Sequence, residues 1–121
     1  MKITKVKLND VKIAVINSSE ILIRDVQSAL DLIATVNYEA GCDRIILEKA
    51  AVHEDFFNLT TRLAGEILQK FIIYHVKIAI VGDFSEYSSK NFKDFIYESN
   101  KGKDIFFLSN EQQALDKLST S

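Results

Sequence analysis

The chain has 121 residues, 47% hydrophobic and 26% charged, with a formal net charge of −2. One globular domain accounts for that length; the composition excludes a disordered chain, and the missing basic excess speaks against a nucleic-acid footprint or a polybasic membrane patch. Cys42 stands alone, so there is no internal disulfide or Cys-based metal site, and with no membrane-length apolar run and a Lys-interrupted Met1–Leu8 the expectation is a soluble, cytoplasmic domain.

Two alternating segments, roughly 2–8 and 11–17, flank Asn9-Asp10, a turn-forming pair, and predict a β-hairpin. Lysines on one side suit an edge strand kept soluble by charge. From Asp25 the period becomes helical through Val26, Ala29, Leu30 and Ile33, and Tyr38 and Ala40 close the segment before Gly41. Arg44 to Leu47 reads as a short buried strand. A second helix places Leu63, Ile67, Leu68, Phe71 and Ile72 on one face, with a start near Asn58 to Thr61.

Val76 to Val81 is the most strand-like segment and ends at Gly82-Asp83. Ser88 and Ser89 precede a third helix whose Phe92, Phe95, Ile96 and Ser99 share a face, with Gly102 just beyond it. Ile105 to Leu108 forms a fifth strand. Ser109 and Gln112 have capping-box spacing ahead of a last helix through Ala114, Leu115 and Leu118, and Ser119 to Ser121 are expected to fray. The order ββαβαβαβα predicts an α/β domain with a mixed, mostly parallel five-stranded sheet and four helices.

Ligands of open α/β sheets gather at the carboxyl ends of strands. Asp83 lies there. It can hold a metal or orient a substrate, but as a common turn former its simpler role is to bond the loop backbone of Ser85 to Ser89. Glycine-rich phosphate loops are absent, and no histidine pair has zinc-ligand spacing, so no cofactor or metal is expected. His75 reads as a turn residue and Cys42 as a small apolar packing group. His53, beside Glu54 and Asp55, has no nucleophile placed by local sequence.

Gly65 inside a helix requires a reason, and close packing is preferred over approach by a ligand. Glu66 and Lys70, four residues apart, read as a solvated face. Near the third helix end, Asn100 and Lys101 are placed to serve free carbonyls, with Tyr97 and Glu98 pointing outward.

The stretches Asp55-Phe56-Phe57-Asn58-Leu59, Ala64 through Phe71, Val81-Gly82-Asp83-Phe84 and Asp94 through Gly102 resemble an uncharacterised bacterial family, domain of unknown function 4180. That resemblance covers nearly the whole chain and brings no activity with it. Arg62 departs from it, standing where a glycine is expected. More distantly, the element order and the Gln113–Leu118 helix resemble STAS domains, which include anti-sigma factor antagonists. Their Asp-Ser-Ser-Gly-Leu-Gly signature falls on Leu59-Thr60-Thr61-Arg62-Leu63-Ala64, where the hydroxyls and the leucine match in kind while the aspartate and glycines do not.

The STAS resemblance implies a non-enzymatic regulatory module with a protein partner, such as a kinase or an anti-sigma-type regulator. It further implies a helix-opening Ser or Thr whose phosphorylation ends binding, here Thr60 or Thr61. A phosphate adds about −1.5 to −2 charge and is accommodated at a helix N-terminus, while a simple cap is the alternative role for either threonine. A second reading is a sensor of small or lipid-like ligands, with Phe56, Phe57, Phe84 and Tyr87 around its pocket or packed beneath the loops. An enzyme built on Asp83 with Glu48, Glu98 or His53 ranks last, because it needs groups distant in sequence to converge.

Overall fold

The computed structural model describes residues 1–121. The hairpin strands β1 (Lys2–Leu8) and β2 (Val11–Asn17) pair antiparallel in unbroken register, from Lys2 opposite Asn17 to Leu8 opposite Val11. Asn9 and Asp10 turn the chain with φ of 51° and 62°, the doubly left-handed geometry of a tight hairpin loop. β3 (Arg44–Glu48), β4 (Lys77–Val81) and β5 (Ile105–Leu108) follow parallel to β2 in the order β1-β2-β3-β4-β5.

Successive strands always step to the same side, so right-handed crossovers bring α1 (Val26–Ala40), α2 (Leu63–Ile73) and α3 (Lys90–Lys101) onto one sheet face. There Ala14, Ile16, Ile45, Leu47, Ile78, Ile80, Ile105 and Phe107 meet the apolar stripes of the three helices in the main core. Strand alternation sends Ile13, Val15, Ile46, Ala79 and Phe106 to the opposite face. A single helix, α4 (Glu111–Thr120), covers that face through Ala114 and Leu118.

Helix ends follow local chemistry. Asp25 caps α1 by accepting from the Ser28 N–H at 2.8 Å, and Gly41 closes it at φ 62°. Ser89 caps α3 by accepting from the Phe92 N–H. Cys42 is buried in the main core, and burial pushes its thiol pKa up. His75 is exposed in the turn before β4 with φ 58°.

Several expectations need correction. Ile72 leaves the core stripe and is 43% exposed, because α2 buries Ala64, Ile67, Leu68 and Phe71 instead. Gly65 is not closely packed: open space surrounds the place where a Cβ would stand. The last helix is capped by Asn110, which accepts from the Gln113 N–H at 2.9 Å, one residue later than the Ser109–Gln112 pairing. Nor does the C-terminus fray. The helix runs to Thr120, Ser119 is buried, and Arg44 donates to the Leu118 and Ser121 carbonyls at 2.9 and 3.2 Å.

Candidate functional site

The chain leaves β3 through three short 3₁₀ turns, Lys49–Ala51, Glu54–Phe57 and Leu59–Thr61, before α2 begins. The second and third are capped by side chains, and the first is not. The His53 Nδ1 accepts from the Asp55 N–H at 3.0 Å, and Asn58 Oδ1 accepts from the Thr60 N–H at 3.1 Å. The Leu22–Ile23 strip bonds alongside: the Leu22 N–H donates to Ala51 O at 2.7 Å, and the His53 N–H to Ile23 O at 2.8 Å. This ladder of turns forms one wall above the carboxyl ends of the central strands.

The other wall is the β4–α3 loop from Asp83 to Ser89, and one side chain anchors much of it. Lys49 Nζ donates to Asp83 O at 3.0 Å and to the Glu86 carboxylate. The same ammonium lies 5.9 Å from the Phe84 ring centre and 4.7 Å from that of Tyr87. Gly82 lets the strand end pass this stem, since a Cβ there would stand 2.7 Å from Lys49 Cβ. Asp83 faces its own loop: the Ser85 hydroxyl and N–H donate to its Oδ1 at 2.6 and 2.9 Å. Those two bonds, hydroxyl first, hold its carboxyl below the usual carboxylate range.

Between the walls lies an open cleft of about 640 Å³ whose lining includes Glu54, Asp55, Asn58, Thr60, Ser88 and Asn91, with Phe57, Leu59, Tyr87 and Phe92 as its apolar part. A neighbouring cleft of about 550 Å³ reaches Lys49, Val52 and His53. The aromatic side chains beneath are packed on one another. Phe57 lies 5.2 Å from Phe56, 5.5 Å from Tyr87 and 6.1 Å from Phe84, measured between ring centres. Phe56 is wholly buried, so only Phe57, Phe84 and Tyr87 of the four predicted aromatics border the loops from within reach of the surface. Burial, with the Glu54 carboxylate adding to it, raises the Tyr87 pKa.

The two threonines differ. Thr61 has three partners: its one hydroxyl proton is shared between Asp55 O at 2.7 Å and Asn58 O at 2.8 Å, and its oxygen accepts from the Leu63 N–H. It thereby ties the third 3₁₀ turn to the first N–H of α2 across Arg62, the N-cap residue, whose own side chain makes no capping bond. Thr60 is exposed at the cleft rim, its hydroxyl donating only to Asn58 Oδ1 at 2.7 Å. Both precede Arg62, whose φ of 63° lies in the left-handed region that favours glycine. This gives a physical reason for the glycine expected at that position.

Other predicted residues lie elsewhere. Glu66 and Lys70 sit on α2 outside the cleft and form no salt bridge with each other. Glu98 pairs with Lys101 at 3.9 Å on α3. Glu48 projects to the α4 side of the sheet, away from the main-core side of its neighbour Leu47. Asn100 does not serve a helix end. Its Nδ2 donates to Phe107 O at 3.0 Å and its Oδ1 accepts from the Phe107 N–H at 2.7 Å, fastening α3 to β5.

Sequence reasoning missed Lys49 as the organiser of the loop, along with Glu54, Ser88 and Asn91 as cleft-lining residues. Gly82, directly before Asp83, carried the available signal for close approach at that strand end.

No helix is long and apolar enough to cross a membrane, and the chain holds no cluster of three or more His, Cys, Asp or Glu arranged to bind a metal ion. No curated protein and no solved structure matches the chain. A family model described as "Domain of unknown function (DUF4180)" matches residues 8–118. That match spans most of the 121 residues, and the chain belongs to the DUF4180 family.

Proposed function

We propose that the chain is a non-enzymatic regulatory module that receives a protein partner in the cleft between the 3₁₀ ladder and the β4–α3 loop. The observation that carries this reading is a cleft with anchored walls and uncommitted polar groups: the side chains of Glu54, Ser88 and Asn91 line it and make no hydrogen bond or salt bridge within the chain. Thr60 is the residue of the pair open to a kinase. Its phosphorylation would add about −1.5 to −2 charge beside Glu54 and Asp55, repelling an acidic or apolar partner from the same cleft.

A photo-crosslinking side chain at Asn91, compared with one at Lys93 outside the cleft, tests the reading in producing cells. The expected result is a defined partner from position 91 and none from 93. The purified partner then binds the unmodified chain and is released by Thr60→Asp. Equal capture from both positions, or unchanged binding by Thr60→Asp, would remove the cleft or the switch respectively.

The neighbouring cleft supports a second reading, a sensor of small or lipid-like ligands, because Val52, Phe57 and Tyr87 give it an apolar lining beside Lys49. Native mass spectrometry of the chain isolated from its own source separates the readings. A bound small molecule lost in Tyr87→Ala favours the sensor, whereas phosphate on Thr60 favours the switch.

A further inference from the structure

The two edges of the sheet are finished differently. On β5 the Asn100 carboxamide occupies both the N–H and the C=O of Phe107. On β1 no hydrogen bond reaches the outward backbone groups of Lys2–Leu8, and β2 is the only strand paired with it. All seven β1 residues stay in register without a bulge or a proline. Such an edge is a ready template for another extended chain.

Side chains on the two faces select what that chain can be. The register sets Lys7 directly opposite Lys12, with Lys5 two residues along on the same face. Like charges placed opposite one another destabilise a hairpin. Asp10, 4.0 Å from Lys7, is the one carboxylate paired with them, and Lys5 and Lys12 form no salt bridge. On the opposite face Val6, Leu8 and Val11 make a half-buried apolar strip beside the region that α4 covers.

We propose that the β1 edge is an interaction surface for an extended segment of a partner protein in which carboxylate and apolar side chains alternate. Its backbone pairs with β1, its carboxylates lie over Lys5, Lys7 and Lys12, and its apolar side chains lengthen the Val6–Leu8–Val11 strip. A second copy of the chain does not fit, because β1 pairing with itself adds lysines to lysines. This surface is separate from the cleft, and the proposal does not depend on the reading given there.

The probe is a labelled short peptide alternating Glu and Val, titrated into the intact chain and followed by fluorescence anisotropy. Saturable binding is expected, weakening as salt rises and slowing hydrogen exchange at alternate β1 amides. Lys5→Glu combined with Lys7→Glu should weaken it by about tenfold and create affinity for a Lys–Val peptide, provided circular dichroism shows the variant folded. Methylating the peptide nitrogens on its pairing side should abolish binding. Undiminished binding of the methylated peptide would reduce the contact to charge alone and overturn the proposal. So would the absence of binding, or self-association through β1 that shuts the peptide out.

Discussion

A Cβ at position 82 would stand 2.7 Å from Lys49 Cβ, so Gly82 and the stem of Lys49 occupy adjoining space that no other residue at 82 leaves intact. The contact is at the root of the lysine side chain, where it has no freedom to swing aside. Gly82→Ala is therefore expected to displace Lys49 from Asp83 O and the Glu86 carboxylate and to loosen the loop, lowering stability by about 1–3 kcal/mol. Urea unfolding with hydrogen exchange of residues 83–87 checks this, and unchanged exchange in that loop would refute it.

Asn100 closes the β5 edge with two bonds from a single side chain. Asn100→Ala leaves a part-buried N–H and C=O of Phe107 without their partner and should cost about 1–3 kcal/mol. Asn100→Asp keeps an acceptor for the Phe107 N–H but sets a carboxylate against the Phe107 carbonyl, so it should not restore wild-type stability. Thermal unfolding of both variants decides the matter.

The threonines should separate cleanly on substitution. Thr61→Val removes a hydroxyl with three partners and is expected to cost about 1–2 kcal/mol, while Thr60→Val loses one exposed bond and should lie within about 0.5 kcal/mol of wild type. Comparable losses at the two positions in chemical denaturation would contradict the role of Thr61 as the tie between the third 3₁₀ turn and the start of α2.

Asp83 gives the loop a pH dependence of definite sign. Its folded pKa lies below the ordinary 3.8 because the Ser85 hydroxyl and N–H donate to the carboxylate. The stabilisation is therefore present above pH 3.8 and is lost as pH falls through the lower folded value. Carbon-detected NMR titration should show the Asp83 carboxyl titrating below an unstructured aspartate, with Ser85 shifting in step. Ser85→Ala should return it towards 3.8.

Much of this architecture was legible because hydrophobic period and punctuation agree. The switch from alternation to helical spacing at Asp25, Gly41 at a left-handed helix end, and the apolar strands before Gly82 and Ser109 each carry one local cause with one structural result. The 3₁₀ ladder was not legible: two of its turns rest on individual caps from His53 and Asn58, which leave no periodicity in the sequence, and the first has no side-chain cap at all. Ile72 fits the helical stripe by spacing, yet α2 rotates to bury Ala64. Asn100 sits where a helix-end role is natural, and only the tertiary fold brings Phe107 within reach. Of the site, Asp83 as a loop-bonding residue and the aromatics beneath the loops followed from residue type. The hold of Lys49 on that loop joins residues 34 apart or more and no local pattern announces it.

Because α4 alone shields the second sheet face, a helix translated after all five strands completes the core begun by the first hairpin. While residues 111–120 are still awaited, a nascent chain has Ile13, Val15, Ile46, Ala79 and Phe106 with no cover from within the domain. The stretch of translation between β5 and α4 is thus a period of exposure to chaperones and to neighbouring nascent chains. It ends when Leu118 docks and Arg44 takes hold of the terminal carbonyls.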